Sequence, residues 1–361
     1  MSCCILVRAS RKIKSITNRI QTARGRHLPA LTGLRFVLAL WVILHHLTGP
    51  GQTLDPWVRS LPFFLYAVIR GGYLAVTTFF VLSGFVLSRS YADTDWNSRS
   101  LLRYGVGRFA RVYPVYALSL AIVVPFILED RTPGKGGLLA VHGLLLQGWM
   151  GHLPVGWNTP AWTLSCEAFF YLMFPLAAIL VQRASWRTTL AIAAASCLLT
   201  RAMWAVGISD EIKPLIHLSD FLMGIAASRV YDLLEERRLR PAGSWLYLPG
   251  ALIGAALIAY PGLLPAPVDL NSALRPLNAL LLLGFALGGG VIARVLSSQT
   301  AVYLGKSSYA MYILHIPVLW WYLRWSREFS ALLYLAVVIG LSALVYRFIE
   351  EPANRWLRTR V

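Results

Sequence analysis

What most limits the fold of this chain is a succession of apolar runs, each about 20 residues long and without polar–apolar alternation. A run of that length crosses the hydrocarbon core of a bilayer as an α-helix. Only helices or closed barrels satisfy their backbone there, and the missing two-residue period excludes the barrel. The runs predict ten spans: 31–48, 71–90, 110–128, 161–182, 188–206, 214–232, 245–263, 276–297, 308–325 and 329–349. Two further runs, 57–69 and 138–150, are too short to cross and are expected as interfacial or re-entrant pieces on the outer side. Charged residues make up 14% of the 361, against about 25% in a soluble domain. The expected architecture is an all-α polytopic membrane protein with about ten transmembrane helices. A basic N-terminal tail (1–29) precedes the membrane domain (30–350), and a short tail (351–361) follows it.

Orientation follows from Lys and Arg in the short connections. The N-terminal tail carries Arg8, Arg11, Lys12, Lys14, Arg19, Arg24 and Arg26, and the connection after the second span adds Arg89, Arg99, Arg103, Arg108 and Arg111. Connections on the other side hold fewer cations, among them Arg59, Arg131, Lys135, Lys213 and Arg327. Both termini are therefore expected in the cytoplasm. The net charge of +18 suits anionic lipid headgroups, and no nucleic-acid motif accompanies it. MSCCILV is too short for the apolar core of a signal peptide. Cys3, Cys4, Cys166 and Cys197 have no metal or disulfide spacing, and Cys3 and Cys4 read as unmodified cytosolic thiols before lipidation sites. The pairs Gly250/Gly254 and Gly284/Gly288 have the spacing of helix-packing motifs.

Charges inside spans are costly, about 2.5–3.5 kcal/mol for a central Arg on insertion scales, so they are candidates for function. LRFVLALWVILHHL holds Arg35, His45 and His46. Arg35 and His46 are eleven residues apart, about 20° from whole turns, and share a helix face about 16 Å apart along the axis. That face offers a cation near the cytosolic edge and an imidazole deep in the membrane. The shape suits a long anionic donor with its reactive end pointing inward. The plainer alternatives are a snorkelling anchor and a packing histidine.

In AWTLSCEAFFYLMFP, Glu167 lies about two turns from the outer edge, at a depth expected to match His46, with Ser165 as a possible hydrogen-bond donor. Glu167 could orient an imidazole, act as a base, or simply pair with a buried Arg. In TTFFVLSGFVLS, Ser83-Gly84 interrupts an apolar run, as a packing notch or a ligand approach; no G-x-S-x-G nucleophile motif is present. In GRFARVYPVY, Arg108 and Arg111 share a face and suit phosphate groups, unless they are only a basic flank. GKSSYAMYILHIPV places Tyr309, Tyr312 and His315 in the ninth span, as cavity lining or as an interhelical hydrogen bond. Asp220 and the terminal YRFIEEP are weaker signals, and Glu350 and Glu351 are expected at a solvated helix end. A proton-coupled carrier would also use buried Arg, His and Glu, but no inverted repeat is visible. A structural subunit of a glycan-assembly complex is the third class.

Taken together, these stretches resemble the acyltransferase-3 family, bacterial integral-membrane O-acyltransferases. Arg35 and His46 match its R-x10-H signature, FFVLSGF its second-helix motif and RFARVYPVY its arginine motif. WTLSCEAFFYLMFP is similar to its W-S-L-S-x-E segment, with Glu167 at the carboxylate, and LGKSSYAMYILHIPV to its Y-x-x-Y-L-x-H-x-P motif. Thr163 stands where the family has a first serine, and Ser219-Asp220 where it has proline-glutamate. The esterase-like domain of some members is absent from this sequence. The resemblance implies transfer of an acyl group, usually acetyl, from cytosolic acetyl-coenzyme A. That donor is a substrate, and no permanently bound cofactor or metal is implied. The acceptor would be a hydroxyl of an envelope or exopolysaccharide glycan or glycolipid, or alternatively of a macrolide or other small molecule. It further implies a multi-pass protein of the bacterial cytoplasmic (inner) membrane. His46 would be the base or acyl carrier and Glu167 its partner. Arg35, Arg108 and Arg111 would hold the donor, and Ser83, Ser165, Tyr309, Tyr312 and His315 would line the site.

Overall fold

The computed structural model describes residues 28–151, 156–208, 212–239, 241–264, 269–326 and 328–360. The N-terminal tail up to residue 27, with Cys3, Cys4 and the cations to Arg26, lies outside them, as do Arg240 and Arg327. Among the described residues the secondary structure is helical, with no strand. The main helices are α1 (Pro29–Leu47), α2 (Ala75–Ser90), α3 (Ser98–Glu129), α4 (Trp162–Arg183), α5 (Trp186–Ala205), α6 (Leu218–Glu236), α7 (Ser244–Ala259), α8 (Leu270–Leu287), α9 (Gln299–Trp325), α10 (Ala331–Val345) and α11 (Glu351–Arg358). Helix starts follow local chemistry. Pro29 opens α1, Asn97 and Ser100 form a reciprocal cap on α3, and Asp269, Ser298 and Ser330 cap α8, α9 and α10.

Each expected span falls on a helix, and seven helical stretches are long and apolar enough by themselves to cross a membrane: α1, Phe63–Ser90, α3, Thr159–Arg183, α5, α8 and Ala331–Arg358. The chain is an all-α polytopic membrane protein. The other three expected spans differ for identifiable reasons. α7 is apolar but has only 16 residues. α6 carries Asp220, Arg229, Asp232 and Glu235, and α9 carries Lys306, His315 and Arg324. Asp220, Asp232 and His315 are buried inside the bundle, and residues 307–319 of α9 are all buried, whereas Lys306 and Arg324 lie exposed on either side of that stretch. The run 57–69 divides: Asp55–Arg59 is a separate short helix, whereas Phe63–Arg70 runs through a tight turn into α2 and lengthens the second span.

Helix α1 is the seam of the bundle. Leu34, Leu38 and Val42 face one apolar cluster, with residues of α2, α4, α6 and α8; Ala39, Ile43 and Leu47 face a second, with α3, α9 and α10. α1 and α9 run parallel, because Gly305 packs on the backbone of Thr32 at one end and His315 meets His46 at the other. α2 and α6 cross where Gly84 abuts the Phe221 carbonyl and Gly224 the Val81 carbonyl; a Cβ at either would collide. Gly250 and Gly254 face Leu277 and Leu274 of α8, and Gly284 faces Gly243 beside α7, so Gly250, Gly254 and Gly284 serve helix packing, whereas Gly288, at φ 76°, ends α8 with open space where a side chain would stand. The bundle is further tied by Arg275 to Asp220 at 2.6 Å and Arg89 to Asp232 at 2.8 Å.

Candidate active site

Two adjoining cavities share Arg35, Phe79, Glu167 and Tyr309, and so form one chamber. The smaller, about 40 Å³, lies between α1, α2, α4 and α9 and adds Thr163, Ser308 and Tyr312. The larger, about 100 Å³, reaches α3 and adds Ser83, Arg108, Arg111 and Tyr171. Both have room for water.

The chamber is rich in guanidinium groups. The Tyr171 hydroxyl donates to Glu167 at 3.1 Å, and Arg35, Arg111 and Arg108 are that carboxylate's electrostatic neighbours. Arg108 sits among the rings of Tyr171, Tyr91 and Tyr104, at 5.7, 5.8 and 6.0 Å, and its buried Nε has no hydrogen-bond partner. Aromatic faces stabilise the cation, and Tyr91 also engages it by a side-chain hydrogen bond, which leaves Nε unbonded. Arg111 lies 5.9 Å from the Tyr309 ring centroid and forms an ion pair with Glu350. Three guanidiniums thus face two carboxylates, which leaves an excess positive charge for an anionic ligand.

The imidazoles form a separate station. His315 Nδ1 donates to the Tyr312 carbonyl at 2.6 Å, which leaves its Nε2 as an acceptor in the neutral form. That Nε2 lies 3.3 Å from His46 Nδ1, which also lies 3.0 Å from the Val42 carbonyl. Both neighbours accept, so the bonding pattern assigns the proton to His46 Nδ1. Nε2 of His46 is then the free basic nitrogen. The neighbouring His45 is engaged elsewhere, donating from Nδ1 to the Arg70 carbonyl at 2.6 Å.

Arg35, Ser83, Arg108, Arg111, Glu167, Tyr309 and Tyr312 therefore meet around one chamber. The hydroxyls of Tyr309 and Tyr312 donate to the carbonyls of Val112 (2.7 Å) and Pro160 (3.3 Å), so these side chains are walls held by backbone. Ser83 lines the chamber while Gly84 provides the packing notch, so the two halves of that motif divide the work. Ser165 stands apart: it is fully buried and accepts from the Gly148 backbone at 3.0 Å. The expected opposition of His46 and Glu167 is replaced. Glu167 pairs with Tyr171 beside Arg35, and His46 pairs with His315. Tyr312 links the stations, lining the chamber and standing 6.0 Å from the His315 ring.

Glu350 is also corrected. Expected at a solvated helix end, it is 1% exposed and bound to Arg111. Tyr171 had a legible signal, since it follows Glu167 by four residues on one helix face. Asp220 belongs to a buried network, accepting from Arg275 Nε at 2.6 Å and from His217 Nδ1 at 2.7 Å.

The family model described as the acyltransferase domain matches residues 28–347, nearly the whole described bundle. This chain belongs to the acyltransferase-3 family. It is similar to acyltransferase MdmB of Streptomyces mycarofaciens, 30% identical over 92% of this chain and 93% of the relative. It is also similar to the O-acetyltransferase OatA of Staphylococcus aureus (22% identical, 91% of this chain) and the peptidoglycan O-acetyltransferase OatA of Listeria monocytogenes (23%, 91%). The chain spans 58% and 56% of those two relatives. No solved structure matches. The protein is an acyltransferase.

Proposed function

We propose that this acyltransferase moves an acetyl group from cytosolic acetyl-coenzyme A to a hydroxyl of an envelope or exopolysaccharide glycan, in a bacterial cytoplasmic membrane. One observation carries the reading: Arg35, Arg108 and Arg111 converge on a chamber with surplus positive charge, and the His46–His315 pair lies further along the helix that bears Arg35. The Lys and Arg bias puts the Arg35 end of α1 at the cytosol. Coenzyme phosphates bind the guanidiniums by charge-assisted hydrogen bonds. The thin pantetheine arm follows α1, and the thioester arrives near His46, about 16 Å on.

Nε2 of His46 takes the proton of the acceptor hydroxyl as its oxygen attacks the thioester carbonyl. The C–S bond breaks, the ester forms, and the leaving thiolate recovers the proton from His46. His315 keeps His46 in the tautomer that this step needs. Glu167 works on the donor side, balancing Arg35 and fixing Tyr171.

A second acceptor, a largely apolar small molecule, is favoured by a separate groove of about 480 Å³ between α3 and α4, lined by Leu101, Tyr104, Gly105, Phe109, Leu172 and Pro175. It shares Arg108 and Tyr171 with the larger cavity and Leu164 with the smaller one. The deciding experiment is the ester-linked acyl content of envelope glycans in cells lacking the gene, complemented with wild type or His46→Ala at equal level. Restoration by wild type alone supports the glycan reading. Unchanged glycan acylation in both, with acetyl-coenzyme A still consumed by the purified enzyme in the presence of apolar alcohols, moves the acceptor to small molecules.

A further inference from the structure

Glu350 and Glu351 are neighbours in sequence with opposite environments. Glu351 sits at the surface and pairs with Arg355 at 2.7 Å, while Glu350 has an almost fully buried side chain. The two meet at the end of a π turn over Tyr346–Glu350 between α10 and α11, and Glu350, the last residue of that turn, faces Arg111 of α3. Apart from Arg111, its carboxylate oxygens have no partner among the described residues. A buried carboxylate with a single cationic partner is costly to keep, and π turns concentrate at functional sites.

The two arginines of α3 are thus held by different means. Arg108 is caged by tyrosine rings, with its Nε unbonded. Arg111 is held through Nη1 by a carboxylate from the far end of the chain, while its side chain lines the chamber. One carboxylate on Nη1 leaves Nε and Nη2 available to a ligand. We propose that Glu350 is a positioning residue: it fixes Arg111 so that its remaining donors face an anionic group of the donor substrate. The proposal rests on the reading of the chamber as the coenzyme site.

The test is steady-state kinetics of the full-length protein in lipid nanodiscs, with acetyl-coenzyme A varied at saturating acceptor. Glu350→Gln should raise the acetyl-coenzyme A KM roughly tenfold, the scale of one charge-assisted hydrogen bond, with kcat within about twofold. Glu350→Asp, one methylene shorter, should give an intermediate KM, and Glu351→Gln the wild-type value. Arg111→Gln should raise KM at least as much, and the double variant no further. An unchanged or lowered KM in Glu350→Gln, with Arg111→Gln raised, overturns the positioning role and leaves the chamber reading standing. Unchanged KM in both overturns the chamber reading itself. If Glu350→Gln does not accumulate, Glu350→Asp decides alone, and a wild-type KM there sinks the proposal.

Discussion

Two clusters of buried charge in this molecule use the same residue types to opposite effect. In the α6–α8 cluster both oxygens of Asp220 are used, one by Arg275 Nε at 2.6 Å and one by His217 Nδ1 at 2.7 Å, and Arg275 also reaches Ser272. Asp220 and Arg275 have 0% and 1% exposure, and neither lines the chamber. In the chamber, Arg108 keeps an unbonded Nε, cations outnumber carboxylates, and space remains. A satisfied network in a closed interior joins helices. An unsatisfied one beside a cavity awaits a ligand. Buried charge alone does not mark an active site in a membrane protein; here unspent bonding capacity beside a cavity separates the chamber from the α6–α8 cluster.

The sharpest way to break that distinction is a pair of alanine substitutions. Asp220→Ala strands Arg275 and should cost about 3–5 kcal/mol of stability, read as loss of accumulation and a lowered melting temperature in detergent. His46→Ala should leave melting unchanged and reduce acetyl transfer by about 10² to 10⁴-fold. A stable, active Asp220→Ala protein would show that its network is dispensable. A His46→Ala enzyme with normal turnover would remove the base. His315→Leu comes next. It loses the lone pair that holds the His46 tautomer and should lower kcat roughly tenfold, one hydrogen bond's worth, with the coenzyme KM unchanged. A change confined to KM would place His315 on the donor path instead. Arg108→Lys probes the tyrosine cage: it keeps the charge but loses the planar fork, and should raise the coenzyme KM by about three- to tenfold. An unaltered KM would make Arg108 a structural cation like Arg275.

Much of this was legible from residue spacing. The eleven-residue offset of Arg35 and His46 fixed their common face before any contact was known, because helical arithmetic needs no partner. The step from Glu167 to Tyr171 was equally local. Glu167 lies deeper than turn counting predicts, for a physical reason. Counting turns assumes that α4 starts at the membrane surface, but its first turn is roofed by a loop. Gln147 donates to the Ala161 carbonyl at 2.7 Å, and Asn158 reaches the Ile313 carbonyl of α9 at 2.9 Å. The residues ahead of α4 already lie level with the segment next to His315, which carries Glu167 deeper, to Arg35. The parallel α1–α9 pairing and the π turn at Glu350 are long-range outcomes of packing, and one sequence carries no local signal for either.

The mildest test concerns how an acceptor reaches the chamber. The groove between α3 and α4 contains Gly105, where an added Cβ meets no atom within 4 Å. Replacing this mid-helix glycine favours the helix by up to about 1 kcal/mol, so a larger side chain fills the groove without a folding penalty. Gly105→Leu should therefore leave melting, coenzyme KM and slow hydrolysis of acetyl-coenzyme A unchanged. An apolar acceptor that uses the groove should show a KM raised by about three- to tenfold, on the scale of a displaced methyl contact or two. A soluble sugar acceptor approaching from the outer side should be indifferent. Equal effects on both acceptors would mean that the groove only accommodates lipid and that its filling disturbs α3. No effect on either would confine acceptor access to the His46 end of the bundle.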